Sequence, residues 1–215
     1  MRMVMKFGLL CILVGSVTAA IIKDDFLVND DITGGCIHSG PRIAMNSSGC
    51  FVVVWNDQRD GDENGDIYGQ LFDSPGKPHG PNFKINDDGV LGKRQYSPSA
   101  AMNEDGSFFV IWADERNRSP FEGTDIFGQL FDSAGKPVGI NYAVEDEWYD
   151  HQLPSISTDG AARCVAVWQA WLSGSNNIVH ASDTVLNGET EVGRFFDKGE
   201  LFNYKKTNYE HIYGK

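Results

Sequence analysis

Apolar positions in this chain come in short runs divided by turn residues, and the runs recur. Between 97 and 139, Ser99 to Met102 is short and apolar and leads into the turn Asn103-Glu104-Asp105-Gly106. Ser107 to Trp112 is rich in Phe, Val and Ile; it is too short for a helix and reads as a strand buried on both faces. Asp125 to Phe131 is a third strand, with Ile126, Gly128 and Leu130 on one face and Phe127, Gln129 and Phe131 on the other. After the turn Asp132-Ser133-Ala134-Gly135, Tyr142 to Val144 supplies a fourth. Gly128 sits mid-strand, as Gly69 does one copy earlier; a tightly packed neighbouring sheet would explain both.

The pattern has a period. Pro41, Pro98 and Pro154 are spaced by 57 and 56 residues, and so are Trp55, Trp112 and Trp168. Gln70 and Gln129 lie 59 apart, because the preceding loop is two residues longer in the second copy. FLVNDD at Phe26 to Asp31 matches FKINDD at Phe83 to Asp88, again 57 apart, so the leading segment copies the last strand of a repeat whose front is missing. The expected division is a signal peptide at 1–20 and repeats over 21–193, followed by an irregular tail at 194–215. Within the repeats, 26–31 is an orphan fourth strand, 40–88 and 97–146 are two sound copies, and 153–193 is a degenerate third.

Four antiparallel strands per repeat predict an all-β, β-propeller-like array of about three blades, because one sheet cannot bury both of its faces alone. A sandwich with internal duplication and an open solenoid are the alternatives. The 195 residues left after a 20-residue leader hold only about three and a half repeats, against roughly four to eight blades in closed propellers. Three explanations stand: a fragment of a larger surface protein, a ring built from several chains, or a ring that stays open and self-associates through its blade edges.

Composition and charge narrow the class. Arg2 and Lys6 precede an apolar core too short to span a bilayer, and Thr18-Ala19-Ala20 offers small residues for cleavage, so a secreted, extracellular or cell-surface location is expected. The formal charge is −12, or −14 without Arg2 and Lys6, which disfavours nucleic acid as a partner. Outside the leader, Cys36, Cys50 and Cys164 make an odd set: Cys50 and Cys164 read as core residues, and a Cys36–Cys50 bridge is left open.

Two features carry candidate chemistry. W-x-D-x-R occurs as Trp55, Asp57, Arg59 and as Trp112, Asp114, Arg116, whereas the third copy has Gln169-Ala170-Trp171. It reads as a core Trp with an Asp–Arg brace in preference to a ligand ring, since residues repeated in every blade serve blade geometry. In DGDENGD, Asp60, Asp62 and Asn64 precede Gly65 as in a calcium loop, but Leu71 stands where the closing Glu belongs, so a solvated acidic hairpin is favoured. No nucleophile elbow, zinc-binding His pair or phosphate loop is present. His38, His79, His151, His180 and His211 have no ligand spacing, and Asp105-Gly106 and Asp159-Gly160 lack the rest of a sialidase Asp-box. No catalytic, cofactor-binding or metal-ligating residue is assigned, and no cofactor is implied.

VVVWNDQRDGDENGDIYGQLFDSPGKPHGPNFKIN and its twin resemble repeats of large secreted or cell-surface proteins of bacteria. The resemblance covers Phe26 to Val144 well and Leu153 to Gly193 poorly; it implies a propeller-like fold and an extracellular setting, and it brings no catalytic residues. The main functional expectation is a non-catalytic binding, adhesion or scaffold module whose partner is a glycan or a surface protein. The alternative is part of a carbohydrate-active, glycosidase-like propeller enzyme.

Overall fold

The computed structural model describes residues 26–31, 36–60, 64–87, 93–117, 123–144, 149–161 and 163–171, together with the backbone of 6–7, 10–11, 20–21, 145 and 177–182. Most of the expected leader, the loop centre 61–63 and everything after Ser182 lie outside the described residues. All regular structure among the described residues is β, and no helix there is long and apolar enough to cross a membrane. Four two-residue strands lead: β1 (Lys6–Phe7), β2 (Leu10–Cys11), β3 (Ala20–Ile21) and β4 (Phe26–Leu27), paired β1 with β4 and β2 with β3.

Three antiparallel sheets follow, one per repeat. The first is β5 (His38–Met45), β6 (Phe51–Asp57), β7 (Asp66–Phe72) and β8 (Pro78–Lys84), in that spatial order. The second is β9 (Gln95–Met102), β10 (Phe108–Asp114), β11 (Asp125–Phe131) and β12 (Pro137–Glu145). The third holds three strands among the described residues: β13 (Asp150–Thr158), β14 (Cys164–Trp171) and β15 (Asn177–Ser182).

The sheets stack face to face, and alternation along each strand decides which neighbour a side chain meets. Val52, Val54, Ile67, Leu71 and Ile85 of the first repeat form one core with Met102, Phe108, Val110, Trp112 and Phe131 of the second. Phe109, Ile111, Ala113 and Ile126 on the other face of the second sheet form the next core with Ile156, Cys164, Ala166 and Trp168. The central strands β6 and β10 are therefore buried on both faces, which is why they read as unbroken apolar runs. At the leading end, Phe26 and Val28 lie on the outer face of the first sheet against Phe51, Val53, Trp55 and Phe72. Phe26 meets Phe72 edge-on at 5.5 Å, and Phe83 sits 5.5 Å from Phe131 one repeat later, so segment 26–28 takes the place of a preceding repeat's last strand.

Several local expectations shift. The first strand of the second repeat begins at Gln95, not Ser99, and crosses a register break between Ile111 and Ala113 of its partner; the first and third sheets break at the same place. The residue before each repeated proline has positive φ there: Gly40 (59°), Ser97 (53°) and Leu153 (52°). The fourth strands are longer than the alternation implied, because a bulge carries each past an irregular stretch. Gly69 and Gly128 are explained by their own sheet and not by a neighbouring one: a Cβ would meet Phe83 and Ile85 at 3.1 Å, or Val144 at 3.2 Å and Ile111 at 3.3 Å. Cys36, Cys50 and Cys164 are all free; Cys164 is buried, and Cys50 is only half-buried, so it is not a full core residue.

Candidate functional site

Strand polarity gathers the chain's acidic loops at one end of the stack. The first strand of each sheet begins there, the second ends there and the third begins there. The register places His38 opposite Asp57 and Asp57 opposite Asp66. Gln95, Asp114 and Asp125 form the same row one sheet on, and His151 lies opposite Ala170 in the third. These inner-strand starts are polar yet 4 %, 1 % and 1 % exposed at His38, Gln95 and His151. Burial of that kind needs hydrogen bonds. The Gln95 N–H donates to the Gly65 carbonyl at 3.2 Å, and the His151 N–H donates to the Thr124 carbonyl at 2.8 Å, so the second and third sheets are each stitched to the loop before them.

The W-x-D-x-R residues form the frame of this end. Trp55 Nε1 donates to Asp57 Oδ2 at 2.7 Å, and Arg59 donates to Asp57 from its main-chain N (2.9 Å), Nε (3.0 Å) and Nη2 (2.8 Å). Arg59 also reaches back to Asp30 Oδ1 at 2.7 Å and across to Asn82 Oδ1 at 3.0 Å. The second repeat copies this bond for bond: Trp112 to Asp114, Arg116 to Asp114, Arg116 to Asp87 at 3.1 Å and Arg116 to Asn141 at 3.1 Å. The motif thus braces its own loop and also clamps the last strand of the preceding repeat. Arg59 and Arg116 lie over the rings of Tyr68 (4.3 Å) and Phe127 (4.1 Å), a repeated stacking that supports the fork.

What differs between copies is informative, since geometry common to both is already accounted for. Asp60, Tyr68 and Lys84 correspond to Asn117, Phe127 and Ala143 in the second repeat. In the first repeat they surround Asp66. Tyr68 Oη donates to both Asp60 oxygens at 3.2 and 3.1 Å, while Lys84 Nζ lies 2.8 Å from Asp66 Oδ1 and 3.4 Å from Asp60 Oδ2. Asn86 Nδ2 donates to Asp66 Oδ1 at 2.7 Å. Burial lifts the Asp66 carboxyl above its ordinary 3.8, the bond with Asp60 adds to the rise, and Lys84 and Asn86 only partly offset it. Burial pushes Asp60 the same way, but its bonds with Asp66, Tyr68 and Lys84 outweigh that and hold it below 3.8. The two carboxyls are therefore pulled in opposite directions, Asp66 up and Asp60 down. Burial followed by the Asp60 charge drives the Tyr68 phenol well above its ordinary 10.0, which suits it to donate to Asp60 and not to act as a nucleophile.

A second cluster joins Asp31, His38 and Asp57, whose ligand atoms lie within 4.8 Å of one another. Its geometry is that of a cation site, but Arg59 Nη2 already stands 3.3 Å from Asp31 and 2.8 Å from Asp57, so a guanidinium supplies the positive charge. In the Asp60–Gly65 loop, 61–63 lie outside the described residues, and Asp60 is committed to Tyr68 and Lys84. A cleft of about 310 Å³ runs along β5, β9 and β13 and is bordered by Ile43, Met45, Ala101, Ile156 and Glu104. It lies toward the turn end, and Glu104 there is already held by the Ser47 N–H at 3.2 Å.

Sequence reading singled out Asp57, Arg59, Asp114 and Arg116, and the structure brings each pair together. It set His38 aside for want of ligand spacing and did not single out Tyr68 and Lys84. The signal for the last two was present as a difference between otherwise matching repeats.

The sequence matches no protein-family model and no curated protein. Solved structures do share the fold. The chain is similar to the endo-arabinase of Bacteroides thetaiotaomicron VPI-5482 at 14 % identity and a TM-score of 0.50, over 79 % of this chain and 62 % of that one. It is also similar to the Hadza microbial sialidase Hz136 at 14 % identity and a TM-score of 0.54, over 71 % of this chain and 36 % of that one. The chain thus spans less than two thirds of either neighbour's length. Both neighbours are enzymes by name, an arabinase and a sialidase, and this corrects the expectation of a non-catalytic binding, adhesion or scaffold module in favour of the carbohydrate-active alternative.

Proposed function

We propose that this chain is part of a carbohydrate-active, glycosidase-like protein of β-propeller-like architecture, and that the acidic end of its sheets is the face that meets glycan. The observation that carries the reading is the Asp60–Asp66 pair. Two carboxyls whose surroundings pull their proton affinities apart mark an acid and its conjugate partner. The pair is peculiar to the first repeat and is not needed to build one, since the second repeat folds with Asn117, Phe127 and Ala143 in the corresponding places. The fold likeness to an arabinase and a sialidase supports a sugar substrate.

Asp66 is the proton donor in this reading: its proton passes to the oxygen of a leaving group, and the resulting carboxylate is stabilised by Lys84 and Asn86. Asp60 stays ionised beside it. Both carboxyls meet one ammonium, with Lys84 Nζ 2.8 Å from Asp66 Oδ1 and 3.4 Å from Asp60 Oδ2. Asp60 and Asp66 therefore act as one donating unit, and the carboxylate that completes hydrolysis belongs to another part of the face. An extracellular setting goes with this reading, in keeping with the leader-like start of the chain and with its likeness to surface-protein repeats.

The test is a screen of the full chain against chromogenic arabinosides and sialosides, arabinan oligosaccharides and a glycan array, beside Asp66→Asn. The reading expects turnover or selective binding in the wild type and loss of turnover in the variant. Neither binding nor turnover of any glycan would overturn it.

A further inference from the structure

Matching repeats show which residues a sheet needs, and Trp171 is not one of them. Trp168 is the third copy of Trp55 and Trp112, so Trp171 holds the place of Gln58 and Glu115. The other repeats set a polar residue there, and packing between sheets does not call for an indole. Trp171 ends β14, where it pairs with Asp150 at the acidic end of the third sheet. It is 46 % exposed.

The polar groups about it are also peculiar to this sheet. Asp150 holds the place of Arg94 and Ile37, and Gln152 that of Tyr96 and Ser39. Asp150 accepts from the Thr124 N–H at 2.9 Å and from Gln152 Nε2 at 3.1 Å. Tyr96 Oη lies 3.3 Å from Thr124 Oγ1, which brings a phenol of the second sheet to the same corner. The corner is tightly built: a Cβ on Gly123 would stand 2.7 Å from Asp150 Cα, so the loop ahead of β11 lies directly against the start of β13. Paired residues and their diagonal neighbours on one face are within reach of long side chains, which groups Trp171 with Asp150 and Gln152.

We propose that Trp171, Asp150 and Gln152, with Tyr96 at the rim, form a sugar subsite that takes an uncharged unit of a linear glycan. This rests on the reading of the acidic end as the glycan face, and it extends that face from the first sheet to the third. An indole offers a flat apolar surface to the C–H face of a sugar ring. The carboxylate accepts from the ring's hydroxyls, and the carboxamide both donates and accepts. One aromatic surface with a few fixed polar groups is the arrangement that orients a small ligand.

Charge and distance define the ligand further. Burial raises the Tyr96 phenol above its ordinary 10.0; the Thr124 bond opposes this, the charges of Asp150 and Glu115 add to it, and Arg94 opposes it. Two carboxylates thus act on the corner against one guanidinium. The forks of Arg59 and Arg116, which would suit a sugar carboxylate, are held by Asp57 and Asp114. A neutral sugar fits this corner better than a sialic acid. Asp66 belongs to the first sheet and Trp171 to the third; with packed sheets about 10 Å apart, the two lie on the order of 20 Å from each other. Only a chain of several sugars touches both.

The experiment is calorimetric titration of the full chain, Trp171→Ala and Trp171→Phe with trimers and hexamers of arabinan, xylan and galactan, and with sialyllactose. Trp171 is exposed, so its replacement does not burden folding, and unchanged circular dichroism checks this. The wild type should bind at least one neutral hexamer about tenfold more tightly than its trimer, and sialyllactose more weakly than either. Trp171→Ala should lose the preference for the hexamer, and Trp171→Phe should keep most of it. No hexamer preference in the wild type, an unchanged preference in Trp171→Ala, or tighter binding of sialyllactose would each overturn the proposal. The proton-donor assignment fails separately: glycan turnover that persists in Asp66→Asn removes that role from Asp66, while a hexamer preference that depends on Trp171 still upholds the subsite.

Discussion

Asp30 and Asn82 hold each other through their main-chain amides. The Asn82 N–H donates to Asp30 Oδ2 at 2.9 Å, and the Asp30 N–H donates to Asn82 Oδ1 at 2.8 Å. Asp87 and Asn141 make the same exchange at 3.0 and 2.7 Å. In each case the Asn side-chain amide continues inward, donating to a carbonyl of the preceding strand and to the Gln of the third strand: Asn82 to Val28 and Gln70, Asn141 to Ile85 and Gln129. This clasp fixes segment 26–31 to the first sheet.

Breaking the clasp should free the segment before it unfolds the stack. Asn82→Ala removes partners of Asp30, Val28, Gln70 and Arg59 and should cost about 1–3 kcal/mol. Hydrogen exchange at Val28 to Asp31 should accelerate more than at Val52 to Trp55. Equal acceleration in both places would mean that the segment is not held separately.

The clasp should also weaken in acid. Burial opposes ionisation of Asp30, but the Asn82 N–H and Arg59 overcome it and hold the carboxyl below 3.8. A depressed carboxyl contributes its stabilisation above the unfolded value, and that contribution is lost as pH falls through the folded one. Protection of 26–31 should accordingly fall below about pH 4, and Asp30→Asn should remove that pH dependence.

Trp112 and Asp114 are both fully buried and bonded at 2.8 Å. Trp112→Ala should cost about 3–5 kcal/mol through the cavity it opens. Asp114→Ala removes the buried carboxylate that Trp112 and Arg116 share, leaves Arg116 with Asp87 and Asn141, and should cost about 1–3 kcal/mol. Chemical denaturation checks both, and a loss under 1 kcal/mol in either would contradict the framing role given to the motif.

The three positive-φ residues before proline make an internal comparison. Gly40 adopts this conformation without a Cβ, and a Cβ there would meet nothing within 4 Å, so Gly40→Ala carries a backbone cost alone, about 1–2 kcal/mol. Leu153→Gly should go the other way or be neutral, because the side chain it removes is exposed and its backbone is strained. Thermal melting should show a lowered Tm for Gly40→Ala and an unchanged or raised one for Leu153→Gly.

The architecture could be read from the sequence because it is written several times over. A Trp every 56 or 57 residues, with turns at fixed offsets, fixes strand order whatever the local propensity. The bulges were hidden, since a left-handed Ser97 or Leu153 has no compositional mark, and a strand broken at proline looks like a shorter strand starting after it. The site was hidden for a related reason. Asp60, Asp66, Tyr68 and Lys84 come from a loop and two strands, and only pairing β7 with β8 puts Lys84 beside Asp66. No contiguous motif encodes such a set, which is also why the absence of enzyme signatures misdirected the functional expectation.

Giving the first repeat the second repeat's residues should separate fold from function. Asp60→Asn, Tyr68→Phe and Lys84→Ala each install what the second sheet already carries, so each should change stability by no more than about 1 kcal/mol. Each should nonetheless disturb proton sharing at Asp66. A raised carboxyl is stabilising while protonated, fully so below the unfolded value near 3.8, and that contribution is lost as pH rises through the folded value; Asp60 behaves in the opposite sense. Carboxyl-carbon NMR titration should find Asp66 above 3.8 and Asp60 below it in the wild type, with the split reduced in Tyr68→Phe.

The most direct test of the functional account is an amide NMR titration of the full chain with a pool of neutral and acidic oligosaccharides. The account predicts shifts confined to the acidic end, at Asp60, Asp66, Gln95, Thr124 and His151, with the turns at Gly49, Gly106 and Gly160 unmoved. Shifts centred on those turns and on the cleft beside Glu104, or no shifts at all, would contradict it.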